Sequence, residues 1–569
     1  MAGTDKLADR ECQAYASMEA FASNEMRNWE DIAEYVAPRK SAIVSTKTQD
    51  IEEYSQYVHD TEAVHSNNVL ASGQMDYMVS GRWFSAEPPD KEAPQEARDW
   101  YSKCAEITME ILQETNFDLM IHEFFQDRGG FGTAMIHVEE DEEDYMFFAV
   151  GMVGTFFVRE NRKGLVDTLR RKIKMTCDQA VEEFGEENIS PPMKECYYSD
   201  DSSKKDQLFE VIHTIRPRKA SEREYGKIDG ENKPWASIYT CRSSKTILRN
   251  GGYDEQPFTV SRFHKWGDSP YGWCPGHMVI GAIRQLQNIE RDMDAVSEVM
   301  AFPRILTPKG SVNTVRMEAS GVTVWDPGVS AGQEPREWAT ASDPRFGIER
   351  AQIKREQIRR EYLVDLFQML TNSDESRREK TAYEVAQMLH EKLTRISPTF
   401  ARIKMEVFKP LLRRIFSILF RANVFPEAPP SVGLETAMGK VMPLPKFVFT
   451  SKLAMAIKSM ENMTFLEWWN MISPIADILG PEEFAKNLNF TRLIRLTGDN
   501  HGVAVDFFNS QEERAEIEEK MALQQQMEQS TALAESGSKI ASNLKNMPPQ
   551  LLREMEAQSG AGELASTMG

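Results

Sequence analysis

The 569-residue sequence predicts an α+β fold that is mostly helical. Three observations predict it. In two long stretches of the middle third, apolar residues recur every three or four positions, the signature of amphipathic helices. Between residues 134 and 262 the period falls to two, and β-branched and aromatic residues gather, which reads as a sheet. On both sides of that region helical patterning returns, interrupted by proline and glycine at the expected breaks.

The N-terminal part, to about residue 125, reads as helices. Trp29, Ile32, Ala33 and Val36 share one face of a helix that Pro38 stops. Asn67–Gly81 is a further amphipathic helix, followed by the aromatic segment RWFSAEPP, whose Trp83 and Phe84 read as packing residues. WYSKCAEITMEILQETNFDLMIHEFFQD reads as two helices broken near Asn116. DRGGFGTA (Asp127–Ala134) is glycine-rich but lacks the Gly-Lys-Ser/Thr of a phosphate-binding loop, so it reads as a tight turn into the strand AMIHV. The strand runs YMFFAV, GTFFV, VDTLRRKIKM, LFEVIHTIRP, WASIYTC and FTVSRF follow, with one helix, CDQAVEEFG, ending at Gly185. Glu139–Asp144 is a run of six acids. Its charge suits a divalent cation, but it lacks the ligand spacing of a calcium loop, and a solvated hairpin tip is the preferred reading. Asn250-Gly251-Gly252 reads as a hairpin or loop.

The first long helix is predicted over Met278–Phe302, with Pro270 and Pro275 at its start and Pro303 as its stop. Ile280, Ile283, Leu286, Ile289, Met293, Val296 and Met300 form its stripe. The second is predicted over Phe346–Leu370, striped by Ile348, Ile353, Ile358, Tyr362, Leu366 and Met369. Between them, 303–345 reads as short strands (RILTP, SVNTVRM, GVTVWDP) with proline and glycine breakers. TNSDESRREK (371–380) ends the pattern, and a third helix restarts at Thr381 on a Thr-Ala-Tyr-Glu capping box. Residues 397–500 return to helices, which Pro410 kinks or restarts, with an extended FVFTSKL and a Trp468–Trp469 pair read as core. From Asp506 a polar helix rich in Gln, Met and Ala has little to bury alone, and the last residues, QSGAGELASTMG, read as disordered.

With 67 basic and 88 acidic residues, the net charge is −21, which argues against a tight, sequence-reading DNA binder. Six scattered cysteines without a C-x-x-C pair indicate neither a disulfide framework nor a zinc site, and a reducing cytosol fits. No apolar run approaches the roughly 18 residues of a membrane span, and the polar first residues lack a secretory signal's apolar core. The nine histidines show no H-x-x-x-H spacing, and neither G-x-S-x-G nor a Walker A sequence occurs. The reading is therefore no enzyme, no catalytic residues, no cofactor and no metal.

Two long helices enclosing a small insertion and ending in a charged loop resemble the portal, or head-to-tail connector, proteins of short-tailed bacteriophages. The residues carrying the resemblance are SPYGWCPG followed by GAIRQLQNIERDMDAVSEVMAFP, then TAYEVAQMLHEKLTRISP after the loop, and the Asn67–Gly81 helix with RWF behind it. The resemblance implies a portal fold with wing, long-helix stem, small clip and helical crown. The wing would comprise 1–268 and 381–500, the stem 269–302 and 346–370, the clip 303–345, the channel loop 371–380, and the crown with its tail 501–569.

It also implies a dodecameric ring at one capsid vertex of the virion, assembled in the host cytoplasm. Double-stranded DNA would be packaged and ejected through it without sequence preference. The implied partners are terminase, a tail or adaptor protein, capsid and scaffold proteins and internal core proteins, and no membrane. The implied site residues are Asp374, Glu375, Arg377, Arg378 and Lys380 of the channel loop, Lys354, Arg355 and Arg359 on the channel side of the stem, and Lys309, Arg316 and Trp325 as clip contacts. From Ile348 to Lys380 there are eight basic and seven acidic residues, net +1, so this stretch is far less acidic than the whole and suits weak phosphate contact. The alternative is a DNA-processing phage enzyme, a motor ATPase or metal-dependent nuclease without a recognisable motif. A scaffold-like assembly factor fits less well, because the expected sheet is too well formed.

Overall fold

The computed structural model describes residues 2–37, 58–90, 93–302, 344–371 and 397–454 apart from scattered positions within them, three short strands between 305 and 337, and a few isolated residues elsewhere. The chain divides into two compact units, Met1–Thr464 and Phe465–Gly569. Only Ile517 and Lys520 of the second are described, and every helix and strand named below belongs to the first.

Helices α1 (Ala2–Phe21) and α2 (Ser23–Tyr35) open the chain, and α2 buries the face of Trp29, Ile32 and Ala33 that the spacing predicts. Helix α3 (Glu62–Met78) leads into strand β1 (Phe84–Glu87), and Trp83 and Phe84 are buried as expected. Helices α4 (Gln95–Glu114) and α5 (Phe117–Phe131) break at Asn116. The glycine-rich segment departs from its prediction. Gly129 and Gly130 belong to α5, and only Gly132, with φ at +78°, makes the turn into β2 (Thr133–Glu140). A Cβ on Gly129 would lie 2.4 Å from Asn67 Oδ1, so this glycine serves the approach of α5 to α3 rather than a turn.

Two antiparallel sheets follow. The smaller orders β3 (Met146–Gly151), β2 and β9 (Phe258–Arg262). The larger runs β4 (Phe156–Glu160), β5 (Val166–Met175), β6 (Phe209–Pro217), β7 (Trp235–Cys241) and β8 (Thr246–Tyr253) in chain order. Helix α6 (Cys177–Phe184) carries a Thr176–Gln179 capping box and ends at Gly185, and α7 (Pro191–Tyr197) packs beside it. Asn250-Gly251-Gly252 is no hairpin tip. It lies within β8, where a Cβ on Gly252 would come 2.5 Å from Trp235 O, so close backbone approach selects the glycine. The acid run does span a hairpin tip, with Asp141 N donating to Tyr145 O, but its first two members belong to β2. There Glu139 accepts from Arg171, and Glu140 meets Arg414 and Arg421.

A small hairpin of β10 (His264–Lys265) and β11 (Gly272–Trp273) leads into α8 (Pro275–Ala301), which begins a turn earlier than predicted. In the insertion β12 (Ile305–Pro308) pairs with β13 (Val322–Trp325) and β14 (Arg336–Glu337); the predicted strand SVNTVRM lies outside the described residues. The second long helix is not continuous. Helix α9 (Pro344–Glu361) stops, Leu363 takes a left-handed φ of +57°, and α10 (Val364–Thr371) resumes. Neither proline nor glycine marks this break; buried Tyr362, Val364 and Leu366 on either side of it show that packing sets it. The loop 372–380, the helix from Thr381, the Trp468–Trp469 pair and the polar helix with its tail likewise lie outside the described residues.

Residues 397–403 are helical, Lys404–Phe408 widen into a π turn, and α11 (Lys409–Arg421) continues with Pro410 in its first turn. The expected disturbance at Pro410 thus takes the form of one wide turn just before it. A short hairpin of β15 (Leu434–Thr436) and β16 (Gly439–Val441) follows. The extended FVFTSKL supplies β17 (Lys446–Phe449), which pairs with β1 from the other end of the unit. Among the described residues no helix is long and apolar enough to cross a membrane.

Candidate functional site

The helix pair α8–α9 carries those predicted site residues that the structure describes most fully. Its two ends differ. Near its N-terminus α8 buries Val279, Ala282, Ile283, Leu286 and Gln287 against α2 and α5. Opposite them α9 buries Ala351 and Ile358. Toward the far end burial stops: Met300, Phe302, Phe346 and Ile348 are 58 to 65% exposed, while Ile353, between Ala351 and Ile358, is exposed on the outward face of α9. The stripes predicted from periodicity are therefore only half used within one chain. A groove of about 370 Å3 runs between Ile289, Met293 and Val296 on one side and Phe346 and Gly347 on the other. Gly347 lets the helices meet, since a Cβ there would lie 2.3 Å from Met293 Sδ.

An ionic clamp fixes α9 to α8 and to the start of α3 with the residues just before it. Arg355 donates from Nε to Asp60 Oδ2 at 2.9 Å and from its amino group to Glu290 at 2.6 Å. One turn on, Arg359 grips Glu62 with two bonds of 2.8 and 2.9 Å. Gln287 of α8 closes the arrangement, accepting from the His59 and Asp60 amides and donating to Asp60 O. Burial works to raise the Glu62 carboxyl, but Arg359 and Ser66 outweigh it and hold the group below the usual range. Two of the three cations expected to face a channel are thus bound to carboxylates of their own chain. Lys354, between α9's buried and exposed faces, has no ion pair among the described residues. The i, i+4 spacing of Arg355 and Arg359 shows in sequence that they share a face. Asp60 and Glu62, some 295 and 297 residues away, carried no such signal.

Of the other predicted residues, Trp325 ends β13, where it pairs with Pro308. Lys309, Arg316, Asp374, Glu375, Arg377, Arg378 and Lys380 lie outside the described residues.

Two pairs have the look of catalytic groups. Cys274 Sγ lies 2.9 Å from His277 Nδ1 at the start of α8. Burial pushes that thiol up to about 12 and the imidazole down to about 4, the reverse of a thiolate–imidazolium pair, and the thiol donates to Gly130 O instead. Ser72 Oγ lies 3.3 Å from His122 Nε2, and among the described residues no carboxylate orients that ring. No group of three or more His, Cys, Asp or Glu suited to a metal ion occurs among the described residues.

The model of the family "Bacteriophage head to tail connecting protein" matches residues 10–508. The chain is 27% identical over 547 residues to the portal protein of Salmonella phage epsilon15, covering 94% of this chain and 95% of that one. It is 25% identical over 527 residues to the probable portal protein of Bordetella phage BPP-1, covering 91% and 92% respectively.

Proposed function

The chain belongs to the bacteriophage head to tail connecting protein family, and from that premise we propose that it is a portal subunit. Its role is structural, not enzymatic. It is a component of the virion at a capsid vertex, where copies form a ring through which the genome is packaged and released and to which packaging and tail components attach. On this reading α8 and α9 form the stem, 303–345 the clip, 371–380 the channel loop and 501–569 the crown, with the two sheets and the remaining helices as the wing.

The observation that carries the reading is the half-used stem. An otherwise acidic, charged chain leaves Met300, Phe302, Phe346 and Ile348 uncovered at one end of the α8–α9 pair, and Ile353 uncovered on the outward face of α9. Large apolar side chains left exposed on a charged chain mark an interface, and head-to-tail copies of the same chain cover them in a closed ring. Lys354 then remains for phosphate contact along the bore, with Arg355 and Arg359 fixing the helix that bears it. Arg377, Arg378 and Lys380 serve the same purpose at the loop tip, balanced by Asp374, Glu375 and Glu379. Lys309, Arg316 and Trp325 belong to the surface offered to terminase and then to the tail adaptor.

Negative-stain imaging with mass from light scattering tests this. Rings with a central hole and about twelve 65.0 kDa subunits are expected. The double change Ile348→Asp and Ile353→Asp should yield a folded monomer instead. A wild-type protein that stays monomeric at every concentration and salt would overturn the ring. Magnesium-dependent DNA cleavage or nucleotide hydrolysis would favour the enzyme instead. In intact rings, neutralising Arg377, Arg378 and Lys380 together should impair DNA retention.

A further inference from the structure

Helix α1 lies across the larger sheet, against β4, β6, β7 and β8. Between them is a cleft of about 450 Å3 lined by four cations, Lys6, Arg10, Arg216 and Arg218, with Glu222 and Ile238. Beneath it the buried Glu11 is shared three ways, at 2.7 Å from Arg170, 3.2 Å from Arg10 and 3.3 Å from Arg216. Glu222 is shared by Arg216 at 2.8 Å and Arg10 at 3.5 Å. Two carboxylates thus serve three guanidinium groups.

Arg218 adds a fourth guanidinium without a carboxylate. Its amino group donates to Gly251 O at 2.5 Å, Asn250 Oδ1 at 3.4 Å and Gly230 O at 3.5 Å, while its Nε is buried with no hydrogen-bond partner. Lys6 is exposed and has no partner among the described residues. Five cations (Lys6, Arg10, Arg170, Arg216, Arg218) therefore meet two acids (Glu11, Glu222), a local balance of +3 in a chain of −21. Glu231 and Asp229 of the neighbouring loop also act on Arg218 and bring the balance to +1. Burial, and then Arg216, still lower the Arg218 guanidinium below its usual value.

Both resident carboxylates are already engaged in bridges, yet Lys6, Arg10, Arg216 and Arg218 all line one space. Four cationic side chains around one space suit a tetrahedral group with several oxygens better than a planar carboxylate, and planar guanidinium forks grip such oxygens in pairs. We propose that this cleft is a phosphate-binding site, occupied by a phosphodiester of the DNA backbone or by free phosphate. It is independent of ring formation and of the channel loop.

The test uses the full-length chain, titrated calorimetrically with inorganic phosphate and, separately, with a short DNA duplex. Lys6→Gln and Arg218→Gln should each weaken binding about tenfold and lower the salt dependence of duplex binding by about one phosphate contact. Lys245→Gln, which removes a cation paired with Asp9 outside the cleft, should change neither. Variant-sensitive binding of inorganic phosphate supports the free ion as ligand; variant-sensitive binding of duplex alone supports the backbone. Unchanged binding of both probes by folded Lys6→Gln overturns the site, and this exposed position decides the matter should Arg218→Gln misfold. Displacement of duplex by polyglutamate but not by phosphate also overturns it, in favour of an acidic polypeptide. Light scattering on the same samples reads ring assembly separately, so failure of the portal reading is distinguishable from failure of this one.

Discussion

His137 of β2 and His213 of β6 meet edge to face between the two sheets, ring centroids 6.0 Å apart, and neither reaches solvent. Burial, and then the charge of Arg171, hold His137 down to about 4, and His213 is lowered for the same reasons. The sign follows from linkage. As pH falls below the ordinary 6.5 the unfolded chain takes up protons that the folded chain refuses. Stability from the neutral imidazole is thus whole above 6.5 and fades toward 4, by roughly 2 kcal/mol at pH 5 for His137 alone. Glu139, at about 2 through its contacts with His137 and Arg171, adds a loss in the same direction at lower pH. His137→Gln should therefore flatten the fall in unfolding midpoint between pH 7 and 5, with His213 preserving part of the slope; an unchanged slope would show that His137 titrates freely. Nothing in the strand pattern AMIHV told that its histidine faces another across two sheets. The pattern showed which positions face inward, but not what they meet there, because the partner stands 76 residues on in a different sheet.

At the scale of elements, long periodic segments were legible and local exceptions were not. Helices α2, α4, α6 and α8 and most strands follow from spacing, because each must bury one face. The break at Leu363 and the glycines of α5 and β8 answer to neighbours distant in sequence. Pro410 lies between these cases. A proline inside a helix costs about 3 kcal/mol, through a missing N–H and a clash with the carbonyl four residues back. Here that carbonyl belongs to Glu406, within the π turn, and the turn also aims the Glu406 carboxylate at Arg262. The Arg262 guanidinium donates twice to Glu406 Oε1, its own amide donates to Oε2, and Glu160 lies on its other side. The pairing holds the wide turn whether or not proline is present. Pro410→Ala should then change stability in urea by less than about 1 kcal/mol. A gain near the full helical cost would mean that proline strains the helix and the ion pair merely tolerates it.

For the whole molecule, two properties oppose each other: a charge of −21 on every copy and apolar side chains left exposed at one end of the α8–α9 pair. Bringing copies together concentrates negative charge, and the repulsion acts over a Debye length of about 10 Å at 0.1 M salt and about 30 Å at 0.01 M. Apolar contact does not weaken as salt rises. If the proposed contact through α8 and α9 is chiefly apolar, the monomer–ring equilibrium, followed by light scattering at fixed protein concentration, should move toward rings between about 0.01 and 0.5 M sodium chloride. The exposed acids at the β2–β3 tip and the excess of 11 acidic over 5 basic residues in 501–569 would be screened together with the rest. An interface built on ion pairs between copies behaves in the opposite way and comes apart with added salt. The Arg355 and Arg359 clamps argue against that outcome, because they join cations and acids within one chain and leave fewer of either for a neighbour. Rings that dissociate at high salt would therefore relocate the contact from the apolar end of α8 and α9 to the charged faces of the sheets.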